Sequence, residues 1–113
     1  MKDKNTFTLK VKDFTLYPGA RYRSDGKFSG QEFYEDFLKE KFDQVWKISD
    51  KVLLLDLDGT YGYASSFISE VILRLVKDYK DIDKIKSKLK IKSEDEPILK
   101  EIIKDRINET NVE

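Results

Sequence analysis

The sequence contains no cysteine and no histidine among its 113 residues. Without cysteine the chain has no disulfide, no thiolate metal ligand and no cysteine nucleophile, so we expect a cytoplasmic protein in a reducing compartment. Without histidine it has no Ser-His-Asp triad and no histidine-ligated zinc site. Any chemistry must therefore come from carboxylates, lysine, tyrosine, hydroxyl groups or a partner.

Long apolar runs and an excess of charge of either sign are also missing. The longest apolar run extends from Val52 to Leu55, whereas a membrane-spanning helix needs about 20 apolar residues. The first ten residues lack the apolar segment of a signal peptide. Lysine plus arginine and aspartate plus glutamate each count 22, so the formal net charge is zero. We therefore expect no membrane segment and no nucleic-acid partner.

Apolar residues that alternate with polar ones predict strands over residues 6–11, 14–17 and 84–92. The apolar run within residues 51–58 predicts a central strand that is covered on both faces. Residues 20–28 are predicted to form a tight connection or hairpin around Asp25-Gly26. The lysines of residues 84–92 are predicted to face outward and to protect a sheet edge from aggregation; they are Lys84, Lys86, Lys88, Lys90 and Lys92.

Three helices are predicted from their starting residues and apolar spacing. Ser29 and Glu32 form a capping box for a helix that ends near Trp46. Ser65 and Ser66 are expected to cap the second helix, and Glu96-Pro97 starts the third. The predicted buried residues of the three helices are Phe33, Phe37, Leu38, Phe42, Val45 and Trp46; Phe67, Ile68, Val71, Ile72, Leu75 and Val76; and Ile98, Leu99, Ile102, Ile103 and Ile107.

These elements predict one small α/β domain over residues 1–113, with a mixed β-sheet and packed helices. Residues 108–113 are predicted to be a frayed tail.

The segment LLLDLDGT, residues 53–60, resembles the first motif of haloacid-dehalogenase-type phosphohydrolases. That resemblance implies Asp56 as the nucleophile and Asp58 as the general acid/base, with Mg²⁺ between them and the phosphate. The chain after Asp56 is too short for the rest of that fold, so we expect no catalysis, no metal and no cofactor. A small Mg²⁺-dependent phosphohydrolase is the alternative, and it predicts turnover that Asp56→Asn abolishes.

Three further segments are similar to the STAS-like domain family, which is related to anti-sigma-factor antagonists. They are PGARYRSDG at residues 18–26, SGQEFY at residues 29–34 and LDLDGTYGYASSFISE at residues 55–70. The resemblance implies a STAS-like fold and a non-catalytic regulatory domain that binds a protein partner. It implies as partner a histidine-kinase-like ATPase of the anti-sigma type.

In anti-sigma antagonists a D-S-S-G motif contains a serine that the partner kinase phosphorylates. On this sequence the motif falls on residues 64–67, so the resemblance makes Ser65 the candidate phosphoacceptor, followed by Ser66. Ala64 replaces the aspartate and Phe67 replaces the glycine of that motif. The alternative is that both serines only cap the helix.

The partner is expected to contact the residues around this serine pair. Tyr61, Tyr63, Phe67 and Glu70 lie in the segment where docking is predicted. Arg21 and Arg23 form either an anion or partner site, or an anchor that ties down their own loop through a carboxylate such as Asp25. A further alternative is a structural assembly partner without phosphorylation, in which Ser65→Asp leaves binding unchanged.

Overall fold

Three parallel strands form the sheet in the computed structural model, which describes residues 5–111 and the side chains of residues 5–109. The strands are β1 (Thr6–Lys10), β2 (Val52–Asp56) and β3 (Leu89–Lys92), and β2 lies between the other two. The predicted α/β fold is confirmed, with the difference that the sheet is parallel rather than mixed. Helical crossovers join the successive strands, and such connections make neighbouring strands parallel.

Four helices accompany this sheet in the described part of the chain. Helix α1 covers residues 30–46 and consists of an α-helical start (Gly30–Phe33), a π-helical turn (Tyr34–Leu38) and an α-helical end (Lys39–Trp46). The others are α2 (Ser65–Tyr79), α3 (Ile82–Lys88) and α4 (Ile98–Asn111). Residues 108–111, which were predicted to fray, are helical, while residues 1–4 and 112–113 lie outside the described residues. None of the helices within residues 5–111 is both long and apolar enough to cross a bilayer.

Only one face of the sheet is covered. The covered face carries two rows of residues in register, Phe7, Leu53 and Leu89, then Leu9, Leu55 and Ile91. The opposite face carries Thr8, Leu54 and Lys90, of which Thr8 and Lys90 are exposed and Leu54 is half-buried. The prediction that β2 is covered on both faces is therefore wrong. Both crossovers move in the same direction across the sheet, and right-handed crossovers then place their helices on the same side.

The π-helical turn changes which residues of α1 point inward. Phe37 was predicted to be buried but is 41% exposed, whereas Tyr34 is 2% exposed and belongs to the core. A π turn contains one more residue than an α turn needs, so it rotates the residues that follow it. Phe33, Leu38 and Phe42 on either side of this point are buried as predicted.

Two of the predicted strands are absent or shortened. After β1 the chain forms a 3-10 turn (Val11–Asp13) instead of continuing to a second strand at residues 14–17. Residues 20–28 contain a second 3-10 turn (Arg23–Asp25) and no hairpin. The segment 84–92 is helical up to Lys88, because Asp81 accepts a hydrogen bond from the Lys84 N–H at 3.1 Å and caps α3.

This change of element also alters the predicted lysine stripe. Lys88 is 5% exposed, and its ammonium donates hydrogen bonds to the carbonyl oxygens of Ser49 at 3.2 Å, Lys51 at 2.8 Å and Ile48. The prediction that all five lysines face outward is therefore wrong for Lys88. Its charge satisfies three backbone carbonyls in the connection between α1 and β2.

The one-sided sheet predicts different costs for two adjacent leucines. Leu55→Ala should lower the free energy of unfolding by about 3 kcal/mol, because it creates a cavity under the helices. Leu54→Ala should cost only about 1 kcal/mol, because its side chain lies on the uncovered face. Urea denaturation of the two variants measures this difference. Equal losses would mean that the second face is covered as well.

Candidate functional site

Two loops at the C-terminal ends of the strands form the candidate site. We call residues 14–20 and 57–64 the rim loops. The Tyr61 N–H donates to the Leu16 carbonyl at 2.9 Å, and the Ala64 N–H donates to the Pro18 carbonyl at 3.0 Å. These backbone hydrogen bonds fix the two loops side by side, at the edge where parallel sheets commonly bind their ligands.

Helix α2 begins directly after the second rim loop. Its N-cap is Ala64, and no side chain caps it, so the prediction that Ser65 and Ser66 act as helix caps is wrong. The Ser66 hydroxyl instead donates to the Gly19 carbonyl at 3.2 Å and ties the first turn of α2 to the first rim loop. Ser65 is exposed, and within the described residues its hydroxyl has no hydrogen-bond partner.

A close contact between helices sets the position of this helix start. A Cβ atom on Gly30 would lie 2.7 Å from the carbonyl oxygen of Phe67, so only glycine fits there. Ser29 precedes it and accepts a hydrogen bond from the Glu32 N–H at 3.0 Å, which confirms the predicted cap of α1. The Glu32 carboxylate accepts from the Phe28 N–H at 3.1 Å, one residue before the cap. The starts of α1 and α2 therefore lie together.

Two tyrosines stack on the outside of the rim loops. The rings of Tyr17 and Tyr61 are 4.9 Å apart between centroids with an interplanar angle of 13°. Tyr17 is 71% exposed and Tyr61 is 74% exposed. The sequence predicts Tyr61 as a contact residue but not Tyr17, because the alternation in residues 14–17 predicts a strand there. The sequence feature that could have identified Tyr17 is its position as an aromatic residue directly before the Pro18-Gly19 turn.

Tyr63 and Phe67 point the other way, into the molecule. The Tyr63 hydroxyl donates to the Leu57 carbonyl at 2.8 Å, and its ring packs against Phe67. Burial raises the pKa of Tyr63 above its ordinary value, so the phenol stays protonated and remains a donor. Phe67 is 1% exposed. The prediction that Phe67 contacts a partner is therefore wrong. Tyr63 is half-buried, and its hydrogen bond to Leu57 stabilises the second rim loop from the inner side.

Glu70 is also interior, so its predicted role as a partner contact is wrong. It is 3% exposed and accepts hydrogen bonds from Arg21 at 3.1 Å and from Arg74 at 2.5 Å. A buried carboxylate needs such partners, because an unpaired buried charge is costly. Arg21 therefore ties the loop before α1 to α2, with 33% of its side chain exposed.

Arg23 anchors its loop to α1 from the surface. It donates to Glu35 at 3.0 Å and to Asp36 at 2.9 Å. The hydrogen bond from Arg23 holds the pKa of Glu35 below its ordinary value. The suggestion of Asp25 as the anchoring carboxylate is wrong, because Asp25 accepts from the Tyr22 N–H instead.

An aromatic cluster that the sequence analysis missed lies beside the first rim loop. Phe14 contacts the rings of Phe28, Phe33 and Phe37 at centroid distances of 5.2–5.4 Å. Phe28 has φ of 59°, which is uncommon for a bulky residue, and it is 46% exposed. Its N–H bond to Glu32 and its contact with Phe14 stabilise this conformation. The cluster extends the exposed aromatic surface from Tyr17 toward α1.

Asp56 and Asp58 take part in backbone hydrogen bonds. Asp56 is 7% exposed and accepts from the Asp58 N–H at 3.0 Å. Asp58 accepts from the N–H groups of Glu94 at 2.7 Å and Asp95 at 2.9 Å, and Asp95 accepts from the Gly59 N–H. The pair thus joins the loops that follow β2 and β3. Between residues 5 and 109 no group of three or more acidic side chains is placed to hold a metal ion.

Comparison with known families identifies the family of this chain. The family described as a STAS-like domain of unknown function (DUF4325) matches residues 29–99. The chain belongs to this family. The match covers α1, the central strand, the second rim loop with α2, and β3. Searches of the curated proteins and of the solved structures gave no significant match.

The buried Glu70 pair predicts a contrast with the exposed Arg23 pairs of this STAS-like domain. Glu70→Ala should lower the free energy of unfolding by about 2 kcal/mol, because Arg21 and Arg74 then lose their shared buried partner. Arg23→Ala should leave stability within experimental error, because exposed ion pairs contribute little. Chemical denaturation measures both variants. A larger loss for Arg23→Ala than for Glu70→Ala would contradict this assignment.

Proposed function

We propose that this STAS-like domain is a non-catalytic regulatory module that docks a protein partner on its rim loops, with Ser65 as the phosphorylation switch. One observation carries the proposal. Two stacked and exposed tyrosines, Tyr17 and Tyr61, lie on loops that are hydrogen-bonded to each other. Four residues after Tyr61, α2 begins with the exposed Ser65, whose hydroxyl has no hydrogen-bond partner among the described residues.

The tyrosine pair has the properties of an interface anchor. Tyrosine offers a large apolar ring with a polar tip and has few rotatable bonds, which is why it is enriched in binding hot spots. Two hydrogen bonds between the rim loops, and one from Ser66 of α2 to the first rim loop, hold the backbone that carries the two rings. A partner would therefore meet a surface that is largely formed before binding, so the entropy cost of association is reduced.

The position of Ser65 suits a reversible phosphate. It is the first residue of the 15-residue helix α2, where free N–H groups and the helix dipole favour negative charge. A phosphate there would add about −1.5 to −2 charges without disturbing the core. It would place a hydrated dianion four residues after Tyr61, beside the proposed contact. The fold would persist while the complex weakened.

The proposed partner is a histidine-kinase-like ATPase of the anti-sigma type, by the resemblance to anti-sigma antagonists. Such a partner would bring the ATP and Mg²⁺ for phosphorylation, since this chain has no G-x-x-x-x-G-K-[ST] segment of its own. The structural use of Asp58 as a backbone acceptor supports a non-catalytic role. Arg21, Arg23 and Glu70 serve the proposed interface indirectly, by holding the loop beside the first rim loop.

Substitution of Ser65 tests the switch. Ser65→Asp should weaken binding by about tenfold or more, because a carboxylate brings negative charge to the docking surface. Ser65→Ala should bind like the wild type. Affinity is measured with the purified protein that co-purifies with the domain from native cells, and circular dichroism checks that both variants are folded. Unchanged binding of Ser65→Asp would favour an assembly partner without phosphorylation.

Substitution of Tyr61 tests the docking surface. Tyr61→Ala should reduce affinity for the same partner by about tenfold or more, because it removes one ring of the stacked pair. Ile98→Ala is the matched control. Ile98 lies at the start of α4, outside the rim loops, and it is 55% exposed, so the prediction that it is buried is wrong. If the Ile98 variant binds as weakly as the Tyr61 variant, the rim loops are not the docking site.

A further inference from the structure

An apolar groove of about 210 Å³ lies between β3 and α4, separate from the rim loops. Its apolar walls are formed by Leu89 and Ile91 of β3 and by Ile103 and Ile107 of α4. Ile91 is half-buried, whereas the other three are buried beneath it. The groove therefore has room for aliphatic side chains of another molecule. These side chains would pack against apolar residues that are already buried in the free domain.

The groove runs along an unpaired strand edge. β3 is the last strand of the sheet and pairs only with β2 in the described part of the chain. The Lys92 carbonyl accepts from the Leu57 N–H at 2.8 Å, so the backbone groups of Lys92 point toward the β2 side. Because these directions alternate along a strand, the N–H and C=O of Ile91 point to the outer edge. A further strand would find these groups at the groove.

Lysines surround this edge on both faces of the sheet. Lys86, Lys100 and Lys104 line the groove on the helix side. Lys90 is exposed on the uncovered face, next to Leu54. None of these four has an ion-pair partner among the residues whose side chains are described. The groove is therefore an apolar depression among lysines that form no ion pairs with the described side chains.

We propose that this groove is a second docking site, which takes an extended segment of a partner protein whose side chains alternate between aliphatic and acidic. The segment adds to β3 as a fourth strand and bonds to the outer backbone groups of Ile91. Side chains of a strand alternate between faces. Its aliphatic residues therefore enter the groove over Ile103 and Ile107, and its acidic residues lie beside Lys90.

The positive charge of the groove favours an acidic segment of a partner over a second copy of this chain as the occupant. Pairing of β3 with β3 of another copy would bring the same four lysines together, and like charges at such a contact are unfavourable. An acidic segment instead places carboxylates beside Lys90 and lowers the net positive charge of the whole edge. Exposed lysines also protect sheet edges against indiscriminate pairing, so the same side chains would reject neutral and basic strands while accepting an acidic one.

The probe is a short synthetic peptide that alternates glutamate with valine, labelled for fluorescence anisotropy. It should bind the full chain, while a peptide that alternates lysine with valine should not. The double variant Lys90→Glu/Lys100→Glu should weaken binding by about tenfold or more. Lys77→Glu is the matched control, because Lys77 is exposed on α2 and lines a different cavity, with Tyr34 and Asp78.

Two measurements on the bound state test the strand geometry. The Ile91 amide should exchange its hydrogen more slowly when the glutamate peptide is bound, because it gains a backbone partner. The same peptide with alternate backbone nitrogens methylated should bind at least about tenfold more weakly. The proposal is overturned if the glutamate peptide does not bind below about 1 mM, if the Lys90/Lys100 variant binds as well as wild type, or if Ile91 exchange is unchanged.

Discussion

The contact between Gly30 and the Phe67 carbonyl determines how the functional end of this domain is built. Glycine at this position lets the starts of α1 and α2 approach each other more closely than any side chain would allow. The two rim loops are then near enough to bond, through Tyr61 to Leu16 and Ala64 to Pro18, and Ser66 of α2 reaches Gly19. Arg21 and Glu70 close the same junction with an ion pair in which the Glu70 carboxylate is buried and Arg21 is partly exposed.

This junction separates residues that support the surface from residues that form it. Phe67, Glu70 and Tyr63 were all expected at the interface, yet they face inward and hold the helix start and the loop in place. Tyr17, Tyr61 and Ser65 remain outside. The proposed switch depends on that division, because a charge added at Ser65 would alter the outer surface without entering the core. The β3 groove is built from other elements, so its occupancy is an independent property of the fold.

Local patterns in the sequence were sufficient for three of the four helices, α1, α2 and α4, and for the central strand. The Ser29 cap, the apolar face of α2 and the run before Asp56 each follow from interactions within a few residues, and the structure contains all three. The second half of the predicted capping box differs, because Glu32 accepts from the Phe28 N–H and not from the Ser29 N–H. The STAS-like family was identified from the loop and helix-start segments, and the family match confirms it. The α/β class followed from the order of these elements.

The remaining features depend on contacts between distant residues. The π turn exchanges Phe37 for Tyr34 in the core, where the Tyr34 hydroxyl reaches Asp78 of α2. The alternation in residues 84–92 fits a strand, but the spacing of Ile82, Ile85 and Leu89 also fits a helix, and the Asp81 cap decided the outcome. Tyr17 belongs to the candidate site only because its ring stacks on the ring of Tyr61, which is 44 positions away in the chain. The pattern of a short segment cannot show a contact between residues so far apart in the chain.

The buried ammonium of Lys88 has a consequence for the chemical reactivity of the domain. Its nitrogen is enclosed by carbonyl oxygens of the segment that enters β2, so an acylating reagent has no approach to it while that segment is in place. Exposed lysines such as Lys77 and Lys104 have no such protection. Acylation of Lys88 would therefore report the detachment of the α1–β2 connection from the end of α3, and its rate would measure how often that contact opens.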